Sequence, residues 1–296
     1  MTARGDLAAA GLEPDPILDL VRRAVAEDLA GGVDVTTAAT VPAGRFDTAD
    51  LVARQDGVVA GLPVAVAVFA AVGAAPEGGG PVRVELRAAD GDRVRRGDVL
   101  GTVTGPTRTV LVAERTALNL LCHVSGVATL TARWVDAVAG TGAVVRDTRK
   151  TIPGLRALEK YAVRRGGGRN HRMALSDAAL VKDNHVVVAG GVAKAFAAVR
   201  EAWPDLPIEV ECDSVDDVRE AVAAGAVLIL LDNMTLDELR ESVVVARAAG
   251  VRTEASGGLS LDRAAEVAAT GVDYLAVGAL THSAPVLDIG LDLRET

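Results

Sequence analysis

The chain has 296 residues, of which 50% are hydrophobic and only 2% aromatic, and 31 Lys and Arg against 40 Asp and Glu give it a formal net charge of -9. A charged fraction of 24% is ordinary for a globular protein, which excludes a disordered segment and a coiled coil. The acidic balance argues against non-specific binding to nucleic acid, because phosphates demand positive charge. The scarcity of aromatic residues argues against a base-stacking surface.

Several sequence features indicate the cellular location of the protein. Cys122 and Cys212 are far apart in the sequence and lie in apolar stretches, which argues against a disulfide framework and favours the cytoplasm. The N-terminal residues include early acidic side chains and no long apolar run, so they do not predict a signal peptide. Residues 57–76 carry no charge over a membrane-span length, but they are mainly Ala, Val and Gly. We expect a strand, a turn and a helix packed in a core there, and no membrane partner.

Residues 1–115 predict a mixed α and β domain. A helix is expected over residues 16–29, with Asp15 as its N-cap, because Pro16 suits the first helical position and two glycines follow the apolar pattern. Strands are expected over residues 48–59 and 82–86.

From residue 116 the pattern changes to short apolar strands that alternate with amphipathic helices, after a long helix over residues 117–138. The candidate strands are residues 143–147, 179–182, 207–212, 227–232, 251–254 and 272–277. Such alternation predicts a parallel sheet covered by helices. A barrel is favoured over an open dinucleotide-binding sheet, because no G-x-G-x-x-G follows a first strand and nearly every strand ends in polar residues.

The basic residues are concentrated where the site of such a barrel is expected. Residues 146–182 hold ten basic and three acidic residues, a net charge of +7 within a chain of -9. The side chains that follow the strands and a triple-glycine loop are Thr148, Arg149, Lys150, His171, Arg172 and Lys182. Arginine grips carboxylates and phosphates at two points, whereas lysine acts as a compact charge. The segment therefore predicts a small and highly anionic ligand, although part of it also fits a solvated helix face.

Acidic and small residues end the later strands. Glu211 and Asp232 end neighbouring strands, where carboxylates can hold ribose hydroxyls or Mg²⁺; salt bridges to the basic segment are the alternative. Small residues follow two late strands, where backbone N–H groups can approach a phosphate. They are Ser256, Gly257, Gly258, Val277, Gly278 and Ala279.

Taken together, these motifs resemble the quinolinate phosphoribosyltransferase family. The strings DTRKT at residues 147–151, NHR at 170–172 and KDNH at 182–185 occur in the family's order, with AERTALNLL before them and ILLDNM, SGG and DYLAVGALTHSAPVLDIGLD after them. The resemblance implies an α/β fold with an N-terminal α/β sandwich domain over residues 1–115, joined by the C-terminal tail 284–296. It also implies an incomplete, seven-stranded α/β barrel over residues 116–283.

The resemblance further implies transfer of a phosphoribosyl group from phosphoribosyl pyrophosphate to quinolinate, with loss of CO₂, in NAD synthesis. Arg115, Arg149, His171 and Arg172 would hold the quinolinate carboxylates, and Lys150 and Lys182 would meet the anions near the reacting centre. Glu211 and Asp232 would hold the ribose, with Mg²⁺ on the pyrophosphate, and the small residues would hold the 5′-phosphate. In the family the arginine that matches Arg115 enters from a neighbouring subunit, which implies a homodimer.

Three alternative functions fit the same residues. Lys182, at a strand end, could form a Schiff base in an aldolase. The chain could bind a phosphosugar without catalysis. It could also be a related phosphoribosyltransferase with another acceptor, although the cluster of Arg149, His171 and Arg172 favours a dicarboxylate.

Overall fold

The structure is a computed structural model that describes residues 2–75 and 79–294. The last position of the uncharged segment, Pro76, and the last two positions of the predicted tail lie outside the described residues. The chain divides into two compact units. The first comprises the residues up to Leu130, Ile152–Gly167 and the residues from Ser283 on, and the second comprises Thr131–Thr151 and Gly168–His282. The predicted domain boundary at residues 115 and 116 stays a prediction.

The first half of the chain contains five helices and five strands among its described residues. In order, they are α1 (Ala3–Ala9), α2 (Pro14–Leu29), α3 (Val35–Thr40), β1 (Phe46–Ala53), β2 (Gly57–Val58), α4 (Leu62–Ala74), β3 (Arg83–Leu86), β4 (Arg93–Val94), β5 (Val99–Pro106) and α5 (Thr107–Ala137).

The second half alternates strands and helices. Its elements are β6 (Val144–Arg146), α6 (Arg156–Arg165), β7 (Ala179–Val181), α7 (Asp183–Ala189), α8 (Val192–Ala202), β8 (Ile208–Cys212), α9 (Val215–Ala224), β9 (Leu228–Asp232), α10 (Leu236–Ala248), β10 (Arg252–Ser256), α11 (Ala264–Ala268), β11 (Tyr274–Ala276), α12 (Ala279–His282) and β12 (Ile289–Leu293).

An antiparallel sheet in the order β12-β1-β5-β3 is the main sheet of the first unit. The last strand of the chain pairs antiparallel with the first, from Ala49 opposite Leu293 to Ala53 opposite Ile289. Helix α4 contributes many fully buried side chains, such as Val68 and Phe69, and follows Gly61 in the left-handed conformation. The uncharged segment therefore forms a strand, a turn and a core helix over its described part. No helix within residues 2–75 and 79–294 has the length and apolar character needed to cross a membrane.

Three predicted elements differ from the observed ones. Helix α2 begins two residues early, at Pro14, so Glu13 is its N-cap, without a side-chain hydrogen bond, and Asp15 lies in the first turn. The strand predicted over residues 48–59 is interrupted after Ala53, because the chain bends before β2. Helix α5 begins ten residues earlier than predicted, directly after β5.

The second unit is built on a parallel sheet in the order β6-β11-β10-β9-β8-β7. Each of its six strands was predicted within a few residues. A seventh parallel segment is marked by an isolated bridge between Arg146 and Arg169, on the outer side of β6. In the described part of the chain no ladder joins this segment to β7, so the sheet stays open. The predicted fold class is thus confirmed: an α/β protein with an N-terminal antiparallel sheet domain and a C-terminal parallel α/β domain.

Candidate active site

A cavity of about 320 Å³ lies at the C-terminal ends of the parallel strands. Nine of the fifteen predicted site residues line it, which confirms that these strand ends come together. The predicted residues on its wall are Thr148, Arg149, Lys150, His171, Arg172, Lys182, Glu211, Asp232 and Ser256. Leu180, Leu230 and Ala276 complete the lining with apolar surface. Two larger clefts, of about 890 and 870 Å³, have mainly apolar walls, and the second borders this cavity at Arg172 and Leu180.

Asp147 joins two of the loops that carry cavity residues. It is fully buried at the end of β6, next to Thr148. Its carboxylate accepts a hydrogen bond from the Asn170 side-chain amide, and another from the His171 backbone N–H at 2.8 Å. The loop with His171 is therefore held beside the loop with Thr148, although residue spacing alone did not assign Asp147 a role.

Arg149 and Arg172 line the same cavity, and their positive charges repel each other. Burial lowers the pKa of Arg172, and the positive charge of Arg149 lowers this pKa further. The Arg172 guanidinium also donates to the Ala178 carbonyl at 3.0 Å. Two guanidinium groups that repel each other in a partly buried wall favour a bound anion, while the charges of Asp177 and Glu209 already offset part of this repulsion.

Lys182 and Glu211, which both line the cavity, form an ion pair. Lys182 Nζ donates to Glu211 Oε2 at 2.6 Å, and the Lys182 side chain is 47% exposed while that of Glu211 is 9% exposed. Salt bridging between the acidic and basic sets, which was the alternative for Glu211, is therefore present in this structure. An anionic substrate can compete for the lysine at this position, since the pair is open to solvent on one side.

Three acidic residues, Asp183, Asp213 and Asp232, lie at or just after the C-terminal ends of β7, β8 and β9. Burial raises the pKa of Asp213, and the negative charges of Asp232 and Asp183 raise it further. Of these three acids, Asp232 lines the cavity. Oxygen donors that keep access to water suit Mg²⁺, which prefers a few carboxylates together with substrate phosphates. Asp232 therefore offers such a donor to a magnesium ion that arrives with a phosphorylated substrate.

The predicted phosphate loops lie at the ends of β10 and β11. Gly257 has φ +85°, and a Cβ there would lie 2.3 Å from Asn233 Oδ1, so the turn requires glycine. A Cβ on Gly278 would lie 3.1 Å from Lys150 Cδ, which places this glycine beside a cavity residue. Of these loops only Ser256 lines the cavity. Phosphate binding by the others stays a prediction: Gly257, Gly258, Val277, Gly278 and Ala279.

Arg115 is the one remaining predicted site residue. It lies on α5, in the part of that helix that belongs to the first unit, and its side chain is exposed. The role of Arg115 in a neighbouring subunit's site stays a prediction.

A buried charged network behind the cavity was not predicted from the sequence. His171 Nε2 lies 2.6 Å from Glu209 Oε2, and the Arg146 guanidinium donates a hydrogen bond to Glu254 Oε2. Glu209 is 4% exposed and Glu254 is fully buried. The alternation of side chains along β8 indicates that Glu209 belongs near the site, because Glu209 lies on the same strand face as Glu211.

Burial raises the pKa of Glu254 well above that of an ordinary glutamate, and the charge of Glu209 adds to the effect. Arg146 acts in the opposite direction without cancelling it. His171, Glu209 and Glu254 also form the one three-membered set of possible metal ligands in residues 2–75 and 79–294. A cation there would face the Arg146 guanidinium, so the set is better suited to hydrogen bonding than to Mg²⁺.

The fold and the site together define a class: an α/β enzyme whose strand-end cavity accepts a small, multiply anionic substrate. Family comparisons narrow this class. Residues 127–292 match the family model described as quinolinate phosphoribosyl transferase, C-terminal domain, and residues 34–125 match the N-terminal domain of the same family.

Individual relatives agree with the family models. The chain is 54% identical over 283 residues to a nicotinate-nucleotide pyrophosphorylase (carboxylating) of Mycobacterium leprae, covering 95% of this chain and 98% of that one. It is 40% identical to a probable enzyme of the same name from Synechocystis, with 82% and 81% covered. The solved nicotinate-nucleotide pyrophosphorylase of Francisella tularensis superimposes with a TM-score of 0.89 at 34% identity, over 95% of this chain and 96% of that one. The chain belongs to the quinolinate phosphoribosyltransferase family.

Proposed function

We propose that this protein is a nicotinate-nucleotide pyrophosphorylase (carboxylating), which joins quinolinate to phosphoribosyl pyrophosphate and yields nicotinate mononucleotide, pyrophosphate and CO₂ for NAD biosynthesis. The main support for the proposal is the match to this family over nearly the whole chain. The cavity in which the predicted basic residues converge agrees with it. The net charge of the basic segment suits these substrates, because both of them are polyanions.

The two quinolinate carboxylates match the guanidinium groups of Arg149 and Arg172. The mutual repulsion of these groups favours a ligand with two adjacent negative charges. His171 lies on the same wall, and Arg115 would complete the set from a second copy of the chain. Such a clamp orients the ring nitrogen toward the ribose, which removes much of the entropic cost of the reaction.

The donor substrate would occupy the opposite, acidic and glycine-rich side. Glu211 and Asp232 would hold the ribose hydroxyls, while the turns at Gly257 and Gly278 offer backbone N–H groups to the 5′-phosphate. Mg²⁺ would accompany the pyrophosphate, and the Asp232 carboxylate on the cavity wall would help to hold it. When bound, Mg²⁺ supplies charge neutralisation for the leaving pyrophosphate.

Catalysis would be mainly electrostatic. As the bond to pyrophosphate breaks, positive charge develops at the anomeric carbon, and the carboxylates of Glu211 and Asp232 favour that charge. Lys150 and Lys182 balance the charge on the departing anion. The ring nitrogen of quinolinate then forms the new bond with its lone pair, so no general base is required. The pyridinium so formed accepts the electron pair of the adjacent carbon–carboxylate bond, CO₂ leaves, and the ring carbon takes a proton from water.

Lys182 is poorly placed for the aldolase alternative. A Schiff-base lysine is activated by desolvation, whereas Lys182 is 47% exposed and ion-paired with Glu211. Borohydride in the presence of a carbonyl substrate should therefore leave Lys182 unlabelled.

The decisive experiment combines purified protein, Mg²⁺, quinolinate and phosphoribosyl pyrophosphate. Nicotinate mononucleotide and CO₂ should form in equal amounts, and chelation of Mg²⁺ should stop their formation. Nicotinate in place of quinolinate is the matched control, because it lacks the carboxylate that is lost. Binding of both substrates without product would support a binding protein, and turnover with another acceptor alone would support a related transferase.

The minimal working unit would be a homodimer in which Arg115 reaches the partner's cavity, and the enzyme would act in the cytoplasm. Both cysteines are free thiols in the structure, which suits a reducing compartment.

A further inference from the structure

Both ring nitrogens of His171 have partners within the second unit. The Arg172 backbone N–H donates to Nδ1 at 2.7 Å, so Nδ1 carries no proton. Nε2 lies 2.6 Å from Glu209 Oε2 and carries the proton of the neutral ring. The side chain is 8% exposed, so only a small part of the ring meets the cavity. His171 is thus held in one tautomer and one orientation by groups on two elements.

The partner of Nε2 belongs to a pair of buried carboxyl groups. One ligand atom from each of His171, Glu209 and Glu254 lies within 4.8 Å of the others. Among the described residues, no donor group reaches Glu209 Oε1 or Glu254 Oε1, although both atoms are buried. One proton held between these carboxyl groups satisfies both oxygens. The raised pKa of Glu254, caused first by burial and then by the charge of Glu209, is consistent with this proton.

Stability of the fold does not by itself explain why Glu209 and Glu254 are buried in this unit. The strands of a parallel sheet that helices cover are normally buried by apolar side chains. Replacement of buried charges by apolar residues of similar volume is often neutral or stabilising. The presence of Glu209 and Glu254 therefore has to be explained by the groups that they contact. Glu209 contacts His171, the one histidine on the cavity wall.

We propose that Glu209 is a positioning residue that fixes His171 and, through the Arg172 backbone, places the Arg172 guanidinium for its anionic substrate. The chain of contacts runs from Glu209 Oε2 to His171 Nε2, and from His171 Nδ1 to the Arg172 N–H. Loss of the first contact frees the ring to rotate, and the second contact is then lost as well. This inference rests on the proposed function only for the identity of the substrate.

The first test is spectroscopic and needs no activity. The chain has four histidines, so the His171 ring signals can be assigned in labelled protein by comparison with a His171→Gln variant. We expect His171 to be the Nε2–H tautomer in the wild type and to lose this single form in Glu209→Ala. An Nδ1–H tautomer in the wild type, or an unchanged signal in the variant, would overturn the proposal.

The second test is kinetic. Glu209→Ala should raise the KM for quinolinate about tenfold or more, because a charge-assisted contact is lost, while the KM for phosphoribosyl pyrophosphate stays the same. Glu209→Gln keeps an acceptor for His171 and should recover most of this loss. Glu241→Ala, which removes an exposed glutamate on α10, is the matched control. An equal rise in both KM values would mean a merely structural role.

Thermal unfolding of each variant establishes whether it folds. If Glu209→Ala does not fold, Glu209→Asp retracts the acceptor by one methylene and allows the same comparison. Failure of the wild type to make nicotinate mononucleotide would refute the proposed function, whereas the tautomer of His171 would still decide the positioning role.

Discussion

At the residue scale, Arg149 gives the clearest test of the proposed acceptor site. Its charge lowers the pKa of Arg172 after burial has done so, and a dicarboxylate relieves that repulsion. We predict that Arg149→Ala raises the KM for quinolinate roughly 10- to 100-fold, since a contact with a charged group typically contributes about 1.5–3 kcal/mol. The KM for phosphoribosyl pyrophosphate should change little. Arg240→Ala, on exposed α10, is the control, and an unchanged quinolinate KM in Arg149→Ala would refute the assignment.

Glu254 gives a prediction about stability and pH. Its folded-state pKa is raised, first by burial, so the folded protein keeps a proton that the unfolded chain releases above the ordinary glutamate pKa of about 4.3. The contribution to stability is present below that value and is lost as pH rises through the folded-state pKa. Glu254→Gln imitates the neutral carboxyl group and does not titrate. The variant should therefore gain stability relative to the wild type as pH rises.

This prediction is checked by urea unfolding at about pH 5 and about pH 8, where each unit of pKa difference amounts to about 1.4 kcal/mol. Glu241→Gln, at an exposed glutamate, should show no such trend. A difference between Glu254→Gln and the wild type that does not change with pH would contradict the protonated state of Glu254.

At the element scale, the bounds of the parallel strands were predicted more accurately than the start of helix α5 and the end of strand β1. Most of the strands β6 to β11 are short and rich in apolar residues, such as LILLD in β9, so composition and spacing suffice to find them. Strand β10, with the sequence RTEAS, is mainly polar and was found from the spacing of its neighbours. Helix α5 began too late in the prediction because residues 107–116 are rich in Thr and Val, which are typical of strands. Its early start depends on tertiary packing, which a local pattern does not contain.

The candidate site was predictable to the same extent and for the same reason. Residues at strand ends converge by topology, so Arg149, Lys182 and Asp232 could be placed together without coordinates. Glu209 could not, because a glutamate between two apolar strand residues gives no indication of its partner. His171 reaches it from a loop, and loop paths follow from contacts such as those of Asp147 rather than from periodicity.

Gly126 tests the packing of the C-terminal segment on helix α5. A Cβ there would lie 2.1 Å from the Pro285 carbonyl oxygen, so the segment has to move if the residue is larger. Glycine to alanine within a helix usually stabilises by about 0.5–1 kcal/mol, but overpacking costs about 1–3 kcal/mol. We predict that Gly126→Ala lowers the free energy of unfolding by about 1–3 kcal/mol. Gly44→Ala, where a Cβ meets nothing within 4 Å, should lie near the wild type in urea unfolding; a stabilised Gly126→Ala would contradict the close approach.

At the scale of the whole molecule, net charge and local charge have different consequences. The formal charge of -9 disfavours a polyanionic polymer, which would contact much of the surface. A small anion samples only the cavity, where Arg149, Lys150, Arg172 and Lys182 meet. An acidic surface with a basic cavity therefore selects small nucleotide precursors over nucleic acid.

The whole-molecule prediction concerns the shared site. If Arg115 acts in a partner's cavity, Arg115→Ala and Lys182→Ala are each inactive as homodimers for different reasons. A mixed dimer has one site with both defects and one site with neither, by two-fold symmetry. After free exchange about half of the dimers are mixed, so an equal mixture should regain about a quarter of the wild-type activity. Turnover is measured before and after exchange, with exchange verified by mass. Inactivity of verified mixed dimers would mean that Arg115 does not complete a partner's site.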